Sequence, residues 1–184
     1  GKIVGADTGF PIPKLRTAQR PKGDATRAQL LWKELPLLES AEHCNGCGNC
    51  RTMDISRRMC PTFKVFETEL ASPRAKANLM RQVAVGAVDG QLAVSDEFRA
   101  VADLCVNCKM CRVECPSSVD ISKLMLEAKA ANVAEYGLSQ TDWFFARYED
   151  WAKMASSNAI LVNALIANHA ARWLPEKWCG LSRR

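Results

Sequence analysis

The chain has 184 residues, of which 48% are hydrophobic and 24% are charged, with a net charge of +5 and nine cysteines. This length suits one domain or two very small ones, and the composition is that of a globular protein with enough apolar residues for a core. No apolar run reaches the ~18–20 residues of a membrane helix, and the N-terminus lacks the apolar core of a signal peptide. The basic residues are scattered, so we expect no nucleic-acid partner.

The first 40 residues predict an irregular arm and one short helix. Residues 1–23 contain three prolines and four glycines without a sustained period. Asp24 is placed to cap a helix that runs to about Glu34, and Pro36 limits it. The chain has no initiator Met, so we expect that it is processed or cut from a longer one.

Two helices with clear start signals are predicted before the second half of the chain. Ser72 is an N-cap with Pro73 at the first helical position, and Ser95 caps the next helix. Apolar residues of the first helix recur at helical spacing, at Ala75, Leu79, Val83 and Ala87. The second helix is expected to face inward at Val101, Ala102 and Leu104.

The C-terminal part also predicts helices. Asp120 can cap a helix through Tyr136 that ends at Gly137, and Ser139 with Asp142 forms a capping box. A last helix is predicted from about 157 to 174, ended by Pro175. No segment shows convincing strand alternation; "VAVGAVDGQLAV" is the nearest, and its glycines argue against it. The predicted fold class is therefore all-α.

Eight of the nine cysteines form two compact motifs that each end in Cys-Pro. The first motif, C-x2-C-x2-C-x9-C-P, contains Cys44, Cys47, Cys50 and Cys60. The second, C-x2-C-x2-C-x3-C-P, contains Cys105, Cys108, Cys111 and Cys115. A [4Fe–4S] cubane takes four thiolates, one per iron, and two-residue spacing lets one tight loop hold three corners. The motifs predict two [4Fe–4S] clusters.

In two-cluster ferredoxins with the second of these motifs, the fourth cysteine binds the other cluster. Carried over to this chain, that rule predicts a crossed ligand set. Cluster one would be bound by Cys44, Cys47, Cys50 and Cys115. Cluster two would be bound by Cys105, Cys108, Cys111 and Cys60. Such crossing would tie the two motifs into one unit.

Alternative roles remain open for several of these residues. Two zinc sites are the competing use of the cysteines, although zinc prefers paired C-x2-C motifs, often with His. Cys179 has no cysteine neighbour and is interpreted as a structural thiol. His43 is either a hydrogen-bond donor to cluster one or a surface residue, and His169 is a polar-face residue. Basic residues near the motifs either raise the cluster potential or form a solvated face: Arg51, Arg57, Arg58, Lys109 and Arg112.

The stretches "CNGCGNCR…MCPTF…SPRAKANLMR" and "LCVNCKMCRVECPSSVDISKL" resemble the iron–sulfur domain of fused FAD-dependent dehydrogenases of the D-lactate and D-2-hydroxyglutarate type. The iron–sulfur subunits of glycolate oxidase, anaerobic glycerol-3-phosphate dehydrogenase and heterodisulfide reductase are related. The resemblance covers about residues 41–130, and the opening "GKIV" is similar to the end of the flavin domain in that family. It implies an α-helical ferredoxin fold at 41–137, a linker from a flavin domain at 1–40, and C-terminal docking helices at 138–184.

The same resemblance implies the function. The chain would relay electrons from FAD, in a neighbouring domain or subunit, to a quinone or a redox protein after oxidation of a 2-hydroxy acid. We find no catalytic residues, so the segment would be the iron–sulfur part of an oxidoreductase acting on a CH–OH group. A stand-alone cluster subunit and a zinc-stapled interaction module are the alternatives. We expect a cytoplasmic location, free or peripheral to the inner membrane face; a homo-oligomer is compatible with the sequence.

The C-terminal segment from Thr141 to Trp178 contains four of the five tryptophans. Its most apolar run is interrupted by asparagines, which a spanning helix would have to bury in hydrocarbon. Too few basic residues are present for a membrane-surface helix. We therefore expect these helices to remain in water and to dock on another part of the protein.

Overall fold

The computed structural model of the protein describes residues 28–179. Within that range it contains eleven α-helices and two 3-10 helices, and no strand, which confirms the predicted all-α class. The chain forms two compact units, divided between Asn132 and Val133. The predicted irregular arm at 1–23 lies outside the described residues.

The first unit contains the two cysteine motifs and the helices between them. Its helices are α1 Leu37–Glu42, α2 Pro61–Phe66, α3 Pro73–Ala84, α4 Gly90–Ala93, α5 Asp96–Asp103, α6 Met110–Glu114 and most of α7 Ile121–Tyr136. Short 3-10 turns lie at Asn49–Arg51 and Glu69–Ala71. Most of these elements are too short to be stable alone, so the unit depends on tertiary packing.

The core of the first unit lies between α7, α3 and α5. Leu124 and Met125 of α7 are 0% and 1% exposed, and they belong to one cluster with Met80, Phe98 and Ala102. Full burial of a side chain of this size contributes about 1.5–3 kcal/mol. Cys111 is part of the same cluster, so the cysteine loops are anchored directly to the core.

The helix starts and stops that depend on local chemistry are confirmed. The side chain of each predicted cap residue accepts a hydrogen bond from the backbone N–H three residues later, at 3.0–3.3 Å. The four cap residues are Ser72, Ser95, Asp120 and Ser139. At the end of α7 the Gly137 N–H donates to the Val133 carbonyl at 2.8 Å. These contacts satisfy backbone groups that a helix end leaves without an intrahelical partner.

The helix predicted from Asp24 to Glu34 is wrong over its described part, because residues 28–34 are not helical. The backbone N–H groups of Gln29 and Leu30 donate to the Glu127 carboxylate at 2.5 and 3.0 Å, and the Trp32 indole N–H donates to it at 2.8 Å. Glu127 lies on α7 and is 4% exposed. A buried carboxylate almost a hundred residues away thus takes donors that a local helix would have used.

Two further helix predictions differ from the structure near the first cysteines and in α3. Pro36 precedes α1 rather than ending a helix. In α3 the predicted face is rotated: Ala75 and Leu79 are half-buried, and Ala87 lies beyond the helix end. The buried positions follow mixed steps of three and four residues, at Pro73, Lys76, Ala77, Met80, Val83 and Ala84. Apolar residues spaced strictly four apart do not stay on one side of a helix with 3.6 residues per turn. Such a spacing therefore identifies the buried face of α3 poorly.

The second unit contains α8 Gln140–Ala146, α9 Tyr148–Ser157, α10 Ala159–Ala167 and α11 Trp173–Cys179. The single helix predicted over 157–174 is wrong, because α10 ends at Ala167 and Asn168 is extended. Pro175 lies in the first turn of α11, where its missing N–H removes no intrahelical bond. His169 is exposed between the two helices.

Aromatic side chains contact one another in the second unit, although no residue of α8, α9 or α10 is buried. The Trp151 ring stacks on Phe144 with centroids 5.8 Å apart and lies 6.2 Å from Trp143. Several large apolar side chains nevertheless remain in solvent, including Ile160 at 91% and Trp178 at 73% exposure. None of the helices within 28–179 has the length and apolar character needed to cross a membrane.

Candidate metal centre

The two cysteine loops, 44–50 and 105–111, have the same backbone conformation. The residues that flank the middle cysteine have a positive φ in both: 75° and 76° at Gly46 and Gly48, and 53° and 59° at Asn107 and Lys109. Glycine adopts this left-handed conformation at no steric cost, whereas a residue with a Cβ pays roughly 1–2 kcal/mol. The tight three-cysteine turn therefore requires a left-handed backbone at these positions, and the glycines of the first loop adopt it without the steric cost.

A first void lies beside the first cysteine loop, and its space of about 360 Å³ includes open solvent. Its lining includes five cysteines: Cys44, Cys47, Cys50, Cys111 and Cys115. Pro73 and Arg74, at the start of α3, also line it. The fourth cysteine of the second motif therefore lies with the three clustered cysteines of the first motif.

A second void lies beside the second cysteine loop, and its space of about 320 Å³ includes open solvent. Its lining contains the thiols of Cys60, Cys105, Cys108 and Cys111. Four residues line both voids and form the wall between them: Met59, Pro73, Cys111 and Ile121. The fourth cysteine of the first motif thus lies with the second loop, and the two voids are neighbours within one unit.

The chemistry of both voids fits a cluster of several irons. Five cysteines line the first void and four line the second, with Cys111 in both, so each void has thiols for the four corners of a [4Fe–4S] cubane. Among the described residues no group of three or more His, Cys, Asp or Glu side chains converges on one ion position. A cubane spreads its thiolates over separate irons, so its ligands surround a volume. Thr62 Oγ1, in the second void, is buried without a hydrogen-bond partner in the described part of the chain, and it could donate to a sulfur there.

Burial keeps the inner thiols protonated when no metal is bound. Burial raises the pKa of Cys50 to about 11, and the nearby Cys44 and Cys47 add to the rise. The pKa of Cys111 is also raised by burial, while hydrogen bonds from Ser122 oppose the change. Metal ligation requires thiolates, so occupation of either void must release protons.

Glu114 connects the two motifs next to the second void. Its carboxylate accepts hydrogen bonds from the backbone N–H groups of Arg58 and Met59 at 3.0 and 2.9 Å, and from Arg58 Nε at 2.8 Å. The Met59 N–H and the Arg58 side chain hold the pKa of Glu114 below its usual value. Glu114 belongs to α6, which carries Cys111, so it holds the segment that presents Cys60 against the second motif.

Two basic residues at the start of α3 line the voids, and neither was singled out by the sequence. Arg74 lines the first void and forms an ion pair with Glu69 at 2.9 Å. Lys76 lines the second void, is 1% exposed, and donates from Nζ to the Ala71 carbonyl at 3.2 Å. The burial stripe of α3 is the signal that could have identified Lys76, because it is the one charged residue on that stripe.

The basic residues that the sequence did single out lie on a solvated face. Arg51 pairs with Glu69 at 3.2 Å, Arg58 with Glu114 at 2.8 Å, and Arg112 with Asp120 at 3.8 Å. Their side chains are 43%, 68% and 64% exposed. The remaining two, Arg57 and Lys109, are exposed, as is His43 at the end of α1. The Cys179 side chain lies outside the described part of the protein.

Comparison with known proteins agrees with this chemistry. Residues 43–120 match a family described as a 4Fe-4S dicluster domain. Over this range, which contains both cysteine loops, the chain is similar to two-cluster iron–sulfur domains.

Individual proteins are similar to this chain as well. A D-2-hydroxyglutarate dehydrogenase of Escherichia coli (strain K12) is 23% identical over 92% of this chain and 20% of its own length. Its namesake in Pseudomonas putida is 39% identical over 32% of the chain and 6% of its own length. A probable glycolate oxidase iron-sulfur subunit of Bacillus subtilis (strain 168) is 33% identical over 47% of the chain and 18% of its own length. The resemblance drawn from the sequence is confirmed.

The chain spans about a fifth or less of the length of these relatives. No solved structure matches it.

Proposed function

We propose that this chain is an electron-transfer domain that binds two [4Fe–4S] clusters, one in each void. The observation that carries the proposal is the lining of the voids, because each contains three clustered cysteines of one motif and the fourth cysteine of the other, with Cys111 lining both. The proposed ligands of the first void are Cys44, Cys47, Cys50 and Cys115. Those of the second void are Cys105, Cys108, Cys111 and Cys60.

A bound [4Fe–4S] cluster supplies one-electron chemistry at a potential that its surroundings adjust. The chain itself contributes ligands, shielding and distance. Cys111 and Ile121 belong to the wall shared by both voids, so sites in them would be near neighbours. The exposed thiols of Cys47 and Cys108 lie on the solvent side of each loop, where electrons could enter and leave.

The electron donor that we propose is FAD in a preceding domain or a partner subunit. The similarity to D-2-hydroxyglutarate dehydrogenases over most of the chain supports this proposal. The reaction would be oxidation of a 2-hydroxy acid, with electrons passing through this domain to a quinone or a redox protein. The substrate pocket would lie in the flavin domain, because the chain contributes cysteine-lined voids rather than acid–base groups.

A second candidate is a separate iron–sulfur subunit of a larger oxidoreductase. The similarity of 47% of the chain to the probable glycolate oxidase iron-sulfur subunit favours it. The two candidates share the cluster chemistry and differ in how the domain is joined to the flavin protein. The mass of the native chain, measured from its source, distinguishes a fused protein from a subunit.

Metal analysis tests the cluster chemistry. Anaerobic reconstitution should give about eight irons and about eight sulfides per chain, with the broad visible absorbance of cubane clusters that bleaches on reduction. Zinc without sulfide would instead support a structural metal module. Iron for one cluster would contradict the proposal of two.

A further inference from the structure

Lys76 is a lysine in a position that lysine rarely occupies. It lies in the first turn of α3, is 1% exposed, and lines the second void beside the thiols of Cys60 and Cys105. Its Nζ donates to the Ala71 carbonyl at 3.2 Å, although an ammonium has three donors. It forms no ion pair with any aspartate or glutamate of the described residues.

A buried ammonium requires negative charge nearby, because desolvation disfavours the charged form. Burial lowers the pKa of Lys76. The lining of the second void includes Cys60, Cys105 and Cys111 beside Lys76, and it includes no acidic side chain. A cluster bound by four thiolates is net anionic, so it would supply the negative charge that this lysine lacks in the protein alone.

The first void has no equivalent cation. Its basic residue, Arg74, has a side chain that is 28% exposed and is paired with the Glu69 carboxylate at 2.9 Å. Glu69 also pairs with Arg51 at 3.2 Å, and both guanidinium groups are partly exposed, so solvent screens their charge at the first void. Lys76 is fully enclosed and faces no carboxylate partner. The two voids therefore differ in electrostatics although both are lined by cysteines.

We propose that Lys76 is the internal counter-charge of the cluster in the second void and makes it the higher-potential cluster of the pair. The inference rests on the proposed two-cluster function and adds to it which of the two clusters has the higher reduction potential. Reduction adds one negative charge to a cluster, which burial disfavours and an enclosed cation favours. At partial reduction, the electron then resides on the cluster proposed to be bound by Cys60 and the second loop.

Substitution of Lys76 by Met and by Gln in the full reconstituted protein tests the proposal. Methionine keeps most of the buried volume, and glutamine keeps a hydrogen-bond donor, but neither carries charge. A unit charge several ångströms away at an effective dielectric constant of about 20 changes an equilibrium constant by more than tenfold. Both variants should therefore lower the reduction constant of the second cluster at least tenfold, which is about 59 mV for one electron.

The measurement is an EPR-monitored redox titration, with the second cluster identified as the signal lost in Cys105→Ser. Lys129→Met is the matched control, because it removes the same charge from a partly exposed side chain that pairs with Asp103 at 2.9 Å. It should change the constant less than about twofold. Lys76→Arg keeps the charge and should retain the potential.

The outcomes separate this inference from the function on which it rests. A wild-type protein that binds no cluster overturns the proposed function itself. Two clusters in the Met and Gln variants with unchanged potentials, or a lower-potential second cluster in the wild type, overturn the counter-charge alone. If Met and Gln lose the second cluster while Arg retains it, the charge is required for binding, which supports the proposal. Loss of the second cluster in all three Lys76 variants would mean that Lys76 acts through packing, and it would overturn the counter-charge proposal.

Discussion

The crossed arrangement of ligands gives the sharpest test of how the two motifs work together. Replacement of Cys60 by Ser removes a thiol from the second void, although Cys60 belongs to the first motif. Replacement of Cys115 by Ser removes one from the first void, although it belongs to the second motif. Each change should therefore damage the cluster of the distant cysteines rather than that of its sequence neighbours.

The size of the effect follows from the number of thiols around each void. Four cysteines are proposed to bind each cluster, so one substitution removes a quarter of the ligands of one cluster and none from the other. A hydroxyl is a poorer ligand for iron–sulfur clusters than a thiolate. Iron should fall from about eight per chain toward about four, while the cluster that keeps all its ligands also keeps its signal.

The assay compares four single variants by EPR of the reduced protein together with iron and sulfide analysis. Cys60→Ser and Cys105→Ser should lose the same signal. Cys115→Ser and Cys44→Ser should lose the other one. Cys179→Ser, outside both motifs, is the control and should retain both signals. The crossed scheme would be refuted if Cys60→Ser lost the same signal as Cys44→Ser.

Three other perturbations test separate parts of the structure. Glu114→Gln should weaken the hydrogen bonds from Arg58 and Met59 that hold the Cys60 segment. The second cluster should then be lost faster to a chelator, with the first cluster unaffected. Equal loss rates for both clusters would contradict this. Glu127→Ala should lower the free energy of unfolding by about 2–4 kcal/mol, because three donors lose a charged acceptor. Chemical denaturation measures that loss, and Glu135→Ala on the exposed side of the same helix should cost less than about 0.5 kcal/mol. Truncation after Gly137 should weaken electron transfer from flavin to the clusters while leaving the cysteines in place; unchanged transfer, or partition of the intact segment into detergent, would count against a docking role.

Local chemistry explains why much of the fold could be predicted from the sequence. A serine or aspartate cap satisfies an N–H three residues away, and Gly137 ends α7 with a bond four residues back. These contacts need no distant partner, so Ser72, Ser95 and Asp120 revealed their helix starts. Cysteine spacing is equally local, because three thiols at two-residue intervals must lie in one turn.

Tertiary structure decided the features that depend on residues far apart in the chain. Residues 28–34 are not helical, because Glu127 accepts hydrogen bonds from Gln29, Leu30 and Trp32, and the local signal of a helix cap could not reveal that distant acceptor. Glu114 reaches the Cys60 segment across more than fifty residues. Lys76 looked like one more surface lysine until the packing of α3 enclosed it beside the second void. The sequence by itself determined which residues could bind iron; packing decided which charge is buried beside them, because burial is a property of the whole unit.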